Sequence, residues 1–193
     1  MKHVSIDIEA CGEVLLSVGA VVFDPLTGGM PTVSSIKDSG GMEFYGVLSA
    51  QPQMDRGLKM DGGAFEWWLK QSQQARDSLA SPRDPEVVLS ELHSFMARVG
   101  DCWLWAYPTS FDLPVIERVC KTFGLRSPWK WTRTMDGRTL WRLACSLDPE
   151  CAKVEKDGPA AHNALEDARQ QARWFARYLT PVLRGASLAE SSR

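Results

Sequence analysis

Val4-Ser5-Ile6-Asp7-Ile8-Glu9 is the stretch from which the fold can be read. Aliphatic and polar residues alternate in it, which is the period of a β-strand with one face on a core. Asp7 and Glu9 are two apart and share a face, while Val4, Ile6 and Ile8 share the other. Two carboxylates side by side near the end of a central strand repel each other and lose water. A divalent cation relieves both costs. An Asp-x-Glu pair at a solvated strand end is also common, so this pair alone leaves both readings open.

Outward from there, Val14 to Phe23 is a second apolar run, ended by Asp24-Pro25 and Thr27-Gly28-Gly29, and Phe44 to Leu48 reads as a third strand. Phe65, Trp68, Leu69, Ser72 and Leu79 fall near helical spacing. Asp84-Pro85 reads as a helix start, followed by the face Val88, Leu92, Phe95, Met96 and Val99. Cys102 to Ala106 is a short apolar strand, and Ile116, Val119, Cys120 and Phe123 mark a helix entered at Pro114 and ended at Gly124. A short helix is expected near Arg138 to Cys145. The last helix is capped by Asn163 with Glu166 three residues on, and buries Leu165, Ala168, Ala172, Phe175, Ala176 and Leu179. This order predicts an α/β domain with a mixed central sheet of about five strands, one of them antiparallel, and helices on both faces. The expected organisation is a single domain over residues 1–184 and a flexible tail over 185–193.

Of the 193 residues, 44% are hydrophobic and 24% charged, which excludes wholesale disorder. Lys and Arg number 22 against 24 Asp and Glu, a net charge of -2 that argues against a broad basic surface. Charge is local instead. Residues 1–60 hold four basic and seven acidic side chains. Arg126, Lys130, Arg133, Arg138 and Arg142 face only Asp136 in their stretch, with Trp129, Trp131 and Trp141 interleaved. The five cysteines form no CxxC pair, so neither a zinc ribbon nor a disulfide framework is indicated. Free thiols suit a reducing compartment, and Val14 to Phe23 is too short to span a membrane, so a cytoplasmic protein is expected.

Three further polar residues stand near element ends. Asp112 follows the apolar strand, where an aspartate often serves as a helix cap. Asp167 lies in the first turn of the last helix, where the dipole favours an anion. His162 precedes that helix, off its buried face.

Together, the words Ser5-Ile6-Asp7-Ile8-Glu9, Ser110-Phe111-Asp112-Leu113-Pro114 and Ala161-His162-Asn163-Ala164-Leu165-Glu166-Asp167-Ala168 resemble the DEDDh group of 3′–5′ exonucleases. The resemblance runs from about residue 3 to about residue 180 and implies a ribonuclease H-like fold. Phe65-Glu66-Trp67-Trp68-Leu69-Lys70-Gln71 resembles the Trp-Trp-x-x-Gln helix of small phage and bacterial 3′–5′ exoribonucleases, and Arg138-Thr139-Leu140 resembles their Arg-Thr-Leu segment. Tyr107-Pro108-Thr109 stands where relatives have small, amide-bearing residues, and Glu166 replaces a more usual Asp. The first departure leaves the shape of the nucleotide pocket open.

The resemblance implies hydrolysis of the terminal phosphodiester with two Mg²⁺ or Mn²⁺ ions about 4 Å apart. It assigns Asp7 as bridging ligand, Glu9 and Asp167 to the ion that activates water, and Asp112 to the second ion. It assigns His162 as the general base that takes the proton from the attacking water. An all-oxygen set fits these ions, whereas zinc prefers Cys or His. Candidate substrate contacts are Ala10, Cys11, Trp67, Phe111, Arg133 and Arg138, while Trp68 shares the face of Phe65 and Leu69 and is expected in the core. The implied substrate is single-stranded or 3′-overhang RNA, released as nucleoside 5′-monophosphates, and the implied assembly is a homodimer. A DNA-directed 3′–5′ exonuclease would use the same five positions. A non-catalytic nucleic-acid adaptor on this fold is the reading from another class.

Overall fold

A computed structural model describes the backbone of residues 1–26, 42–153 and 162–191, and side chains as far as residue 183. The strands are β1 (Lys2–Cys11), β2 (Val14–Phe23), β3 (Glu43–Val47), β4 (Cys102–Ala106) and β5 (Thr134–Asp136). They form one sheet in the order β3-β2-β1-β4-β5. β2 is antiparallel to both its neighbours, while β1, β4 and β5 run parallel. The mixed sheet with a single reversed strand is therefore as expected. The turn predicted over Thr27-Gly28-Gly29 lies outside the described residues.

The helices are α1 (Ala50–Asp55), α2 (Gly62–Leu69), α3 (Gln73–Asp77), α4 (Pro85–Val99), α5 (Thr109–Thr122), α6 (Gly137–Leu147) and α7 (Ala164–Ser191). Val4, Ile6 and Ile8 pack with α4 and α5 on one side of the sheet, around Leu92, Phe95, Leu104 and Ile116. α6 and α7 cover the other side, where Trp105, Leu140, Ala168, Ala172 and Phe175 meet. Each such large apolar side chain removed from water contributes roughly 1.5–3 kcal/mol. Among the described residues no helix is long and apolar enough to cross a membrane.

Several local readings are corrected. α5 starts at Thr109, five residues before Pro114, which lies inside the helix. A proline this early leaves only the Ser110 carbonyl without its intrahelical donor. Asp112 is consequently a first-turn residue and not the cap. Phe65 and Leu69 are exposed and only Trp68 of α2 is buried, because α2 stands off the body of the fold. Asn163 does cap α7, accepting from the amides of Leu165 and Glu166. The acid that reaches back to the Asn163 amide is Asp167, at 3.3 Å, while Glu166 pairs with Arg169. α7 continues as helix past Arg184 to Ser191.

One glycine decides how α7 sits. Gly19 is directly opposite Asp7 in the β1–β2 ladder. A Cβ there would lie 2.3 Å from the Ala164 carbonyl carbon and the Leu165 nitrogen, so the first turn of α7 rests on bare backbone. Gly19→Ala is expected to lower the melting temperature by several degrees, since overpacking costs about 1–3 kcal/mol and each kcal/mol shifts Tm by about 2–4 °C at this size. Thermal melting checks this, and a parental value would show that the turn does not depend on this gap.

Candidate active site

β1 outruns its neighbour. Its last pair with β4 is Ser5 with Trp105, so Asp7 and Glu9 lie where β4 has ended and the chain has turned into α5. That turn brings Asp112 to the strand, where its carboxylate accepts from the Ile8 amide. β1 and β2 shift register between Glu9 and Ala10, a bulge immediately after the second acid. From the other side, α7 supplies Asp167, and His162 precedes it. One ligand atom each of Glu9, His162 and Asp167 lie within 4.8 Å of one another. A cleft of about 270 Å³ is lined by all five predicted residues, Asp7, Glu9, Asp112, His162 and Asp167, together with Tyr107, Phe111 and Trp174.

His162 is held from several directions. Its φ of +46° lies in the left-handed region, uncommon for a residue with a side chain. The Ser78 hydroxyl donates to its carbonyl at 3.3 Å. Its ring meets the Trp67 ring at 4.8 Å and the Trp68 ring at 6.4 Å, both edge to face. Trp68 in turn donates its indole N–H to the Ala10 carbonyl at 3.1 Å, tying α2 to the end of β1.

The electrostatics are those of crowded, poorly hydrated acids. Glu9 is 7% exposed and Asp112 3%. Burial, then Asp167 and Asp112, push the Glu9 carboxyl up to about 8. Burial raises Asp112 to about 7, opposed in part by amide donors and by the Arg138 guanidinium. Asp7 is held well above the usual carboxylate range by burial and then by Asp112, Glu9 and Asp167. One oxygen of Asp112 is buried without a hydrogen-bond partner. Such a cluster suits a bound cation: the donors are mostly carboxylate oxygens crowded together, and one Asp112 acceptor is left over.

Gln171 was not anticipated from sequence. Its side-chain amide donates to Asp7 at 2.6 Å, which stabilises the carboxylate against its neighbours. Its own oxygen is buried without a partner, so the amide is oriented toward Asp7 at a cost. Only its place one helical turn after Asp167 could have signalled it.

Residues 2–179 match the 3′–5′ exoribonuclease Rv2179c-like domain. The chain belongs to that family. The family is one of 3′–5′ exonucleases, so the protein is a hydrolytic nuclease. Among solved structures, the chain is similar to the nuclease domain of 3′hExo, a DEDDh family member, bound to rAMP. That likeness has a TM-score of 0.60 at 15% identity and covers 93% of this chain and 92% of the other. It shows a shared DEDDh-type fold. No curated protein matches the chain.

For this Rv2179c-like domain the candidate substrate contacts divide. Phe111 lines the cleft and is 51% exposed, and Trp67 beside His162 is 43% exposed. Arg138 lies over the Tyr107 ring at 5.6 Å, and its charge acts on Asp112. Asp136 fixes that arrangement by accepting from Thr109 at the start of α5 and from Thr139 at the start of α6. Cys11 is corrected: it is fully buried against Trp68 and Ala75, leaving no surface for a substrate. Ala10 presents its carbonyl to Trp68 and does not line the cleft. Arg133 is also away from the cleft, paired with Asp101 at 3.1 Å and laid over the Trp103 ring.

Proposed function

We propose that this nuclease removes nucleoside 5′-monophosphates from the 3′ end of single-stranded or 3′-overhang RNA, with two Mg²⁺ or Mn²⁺ ions held by Asp7, Glu9, Asp112 and Asp167. The observation that carries the reading is the meeting of Glu9, His162 and Asp167 within 4.8 Å, in one cleft with Asp7 and Asp112. Bound there, divalent cations would supply an activated water and stabilise the charge that develops on the departing oxygen. The four acids would hold the cations, and Gln171 orients the Asp7 carboxylate by donating to it. His162, clear of the sheet and braced by two indoles, accepts a proton from water next to Glu9 and Asp167. Phe111 and Trp67 offer exposed rings on which a terminal base can stack.

RNA is favoured because the family is described by exoribonuclease activity and the 3′hExo domain is bound to rAMP. DNA remains the competing substrate, since contacts to the 2′-hydroxyl separate the two. The test is digestion of matched RNA and DNA oligonucleotides, single-stranded and with 3′ overhangs, labelled at either end. Shortening from the 3′ end of RNA, dependent on Mg²⁺ or Mn²⁺ and stopped by chelator, is expected. Faster loss of DNA would reverse the substrate assignment, and binding without cleavage would favour an adaptor. A homodimer is part of the proposal, to be checked by light scattering. A cytoplasmic setting is likewise part of the proposal.

A further inference from the structure

The three tryptophans of the basic stretch have different fates. Trp129 packs against the core and donates its indole N–H to Glu117 at 3.0 Å. Trp141 is packed against the α6–α7 side of the core. Trp131 does neither: it is 82% exposed, the most open large apolar side chain among the described residues. Its backbone is nonetheless ordered in a 3-10 turn. The Thr134 hydroxyl donates to the Trp131 carbonyl at 2.9 Å, and the Arg133 amide to the Lys130 carbonyl at 2.9 Å. A hydrogen-bonded turn therefore presents a bare indole to solvent.

Its position points to a ligand. The turn runs directly into β5, whose three residues end at Asp136, the carboxylate that ties the starts of α5 and α6 beside the cleft. β5 runs parallel to β1 and β4, so the turn stands at the end of the sheet away from the cleft, separated from Asp136 by the length of the strand, roughly 10 Å. Lys130 lies next to Trp131, and Arg138 and Arg142 follow on α6, all exposed and in no ion pair among the described residues. In a chain of net charge -2, this edge complements a polyanion. Single-stranded nucleic acid is held by this combination, with bases on aromatic rings and phosphates along cations. A second copy of the chain fits less well, because a twofold contact centred on Trp131 would set Lys130 against its own counterpart.

We propose that Trp131, with Lys130 beside it, is a distal stacking subsite that holds the body of a single strand whose 3′ end lies in the cleft. The inference rests on the nuclease reading for the location of that end. Longer strands reach Trp131, and dinucleotides do not.

The test compares the parent with Trp131→Ala on single-stranded RNA of two to ten nucleotides. Cleavage of the dinucleotide should be unchanged. On the ten-mer KM should rise about 5- to 150-fold, the value of one stacked base, with kcat unchanged, and Trp131→Phe should restore most of the loss. A binding arm uses Asp7→Asn as a non-cleaving background and follows fluorescence anisotropy of a labelled ten-mer. There Trp131→Ala should weaken binding by a similar factor, and Lys130→Ala should reduce the salt slope by about one. Equal binding and equal KM at every length would overturn the subsite, as would a change in light-scattering mass with parental affinity for the ten-mer. A parent that binds the ten-mer through Trp131 but cleaves nothing would sink the nuclease reading and leave the subsite standing.

Discussion

Asp7→Asn is expected to reduce cleavage to background while making the metal-free protein more stable at pH 8. Both halves come from the same crowding. Asp7 shares its surroundings with Glu9, Asp112 and Asp167, each of which raises its proton affinity. In the absence of cations the folded chain keeps protons that the unfolded chain gives up near pH 4. Glu9 is pushed up to about 8 and Asp112 to about 7, so the window of the effect runs from about pH 4 to about pH 8. Across it the native state binds more protons than the unfolded state, and stability falls as pH rises. Metal-free parent should therefore melt higher at pH 5 than at pH 8, and Mg²⁺ or Mn²⁺ should restore the loss at pH 8. Asparagine at position 7 removes one repelling charge, so the slope against pH should flatten. Melting curves with chelator and with Mn²⁺ at the two pH values check this. If Asp7→Asn still gained as much from Mn²⁺ as the parent, Asp7 would not be a ligand.

His162→Ala should slow cleavage by about 10²–10⁴, the usual loss for a general base. The Mn²⁺-dependent gain in melting temperature should persist, because the carboxylates are intact. Alanine is disfavoured at the φ of +46° that His162 adopts, so a loss of activity could also come from a shifted backbone. His162→Asn separates the two causes, as asparagine tolerates this conformation and cannot act as the base. Equal losses in both variants, with parental melting curves for the asparagine form, are the expected result. Parental turnover in either would remove the imidazole from the reaction.

How much of this was legible can be seen element by element. β2 and β4 have the bounds read from their apolar runs, because each is buried along its length. β5 was missed because three partly buried residues carry no period. α1 was missed for a different reason: its one buried side chain is the polar Gln53, whose amide closes on both backbone groups of Leu15. A pattern search for apolar faces passes over such a helix. The acids and His162 were legible because their spacing matches a known family, and the structure brings them into one cleft. What the motif could not give was their support. Gln171 reads as an ordinary polar residue on α7, and Gly19 as one small residue in a valine-rich strand. Their roles exist only once α7 is laid across β1 and β2.

The bond between Gln171 and Asp7 joins residues 164 positions apart in the chain. Few contacts of such sequence separation can form before most of the polypeptide is in place, since loop closure must come first. The centre is thus completed by joining the two extremes of the topology. Partial unfolding that frees α7 should therefore disarm the enzyme at once, and a fragment lacking either β1 or α7 should be inert even where its remaining core is sound.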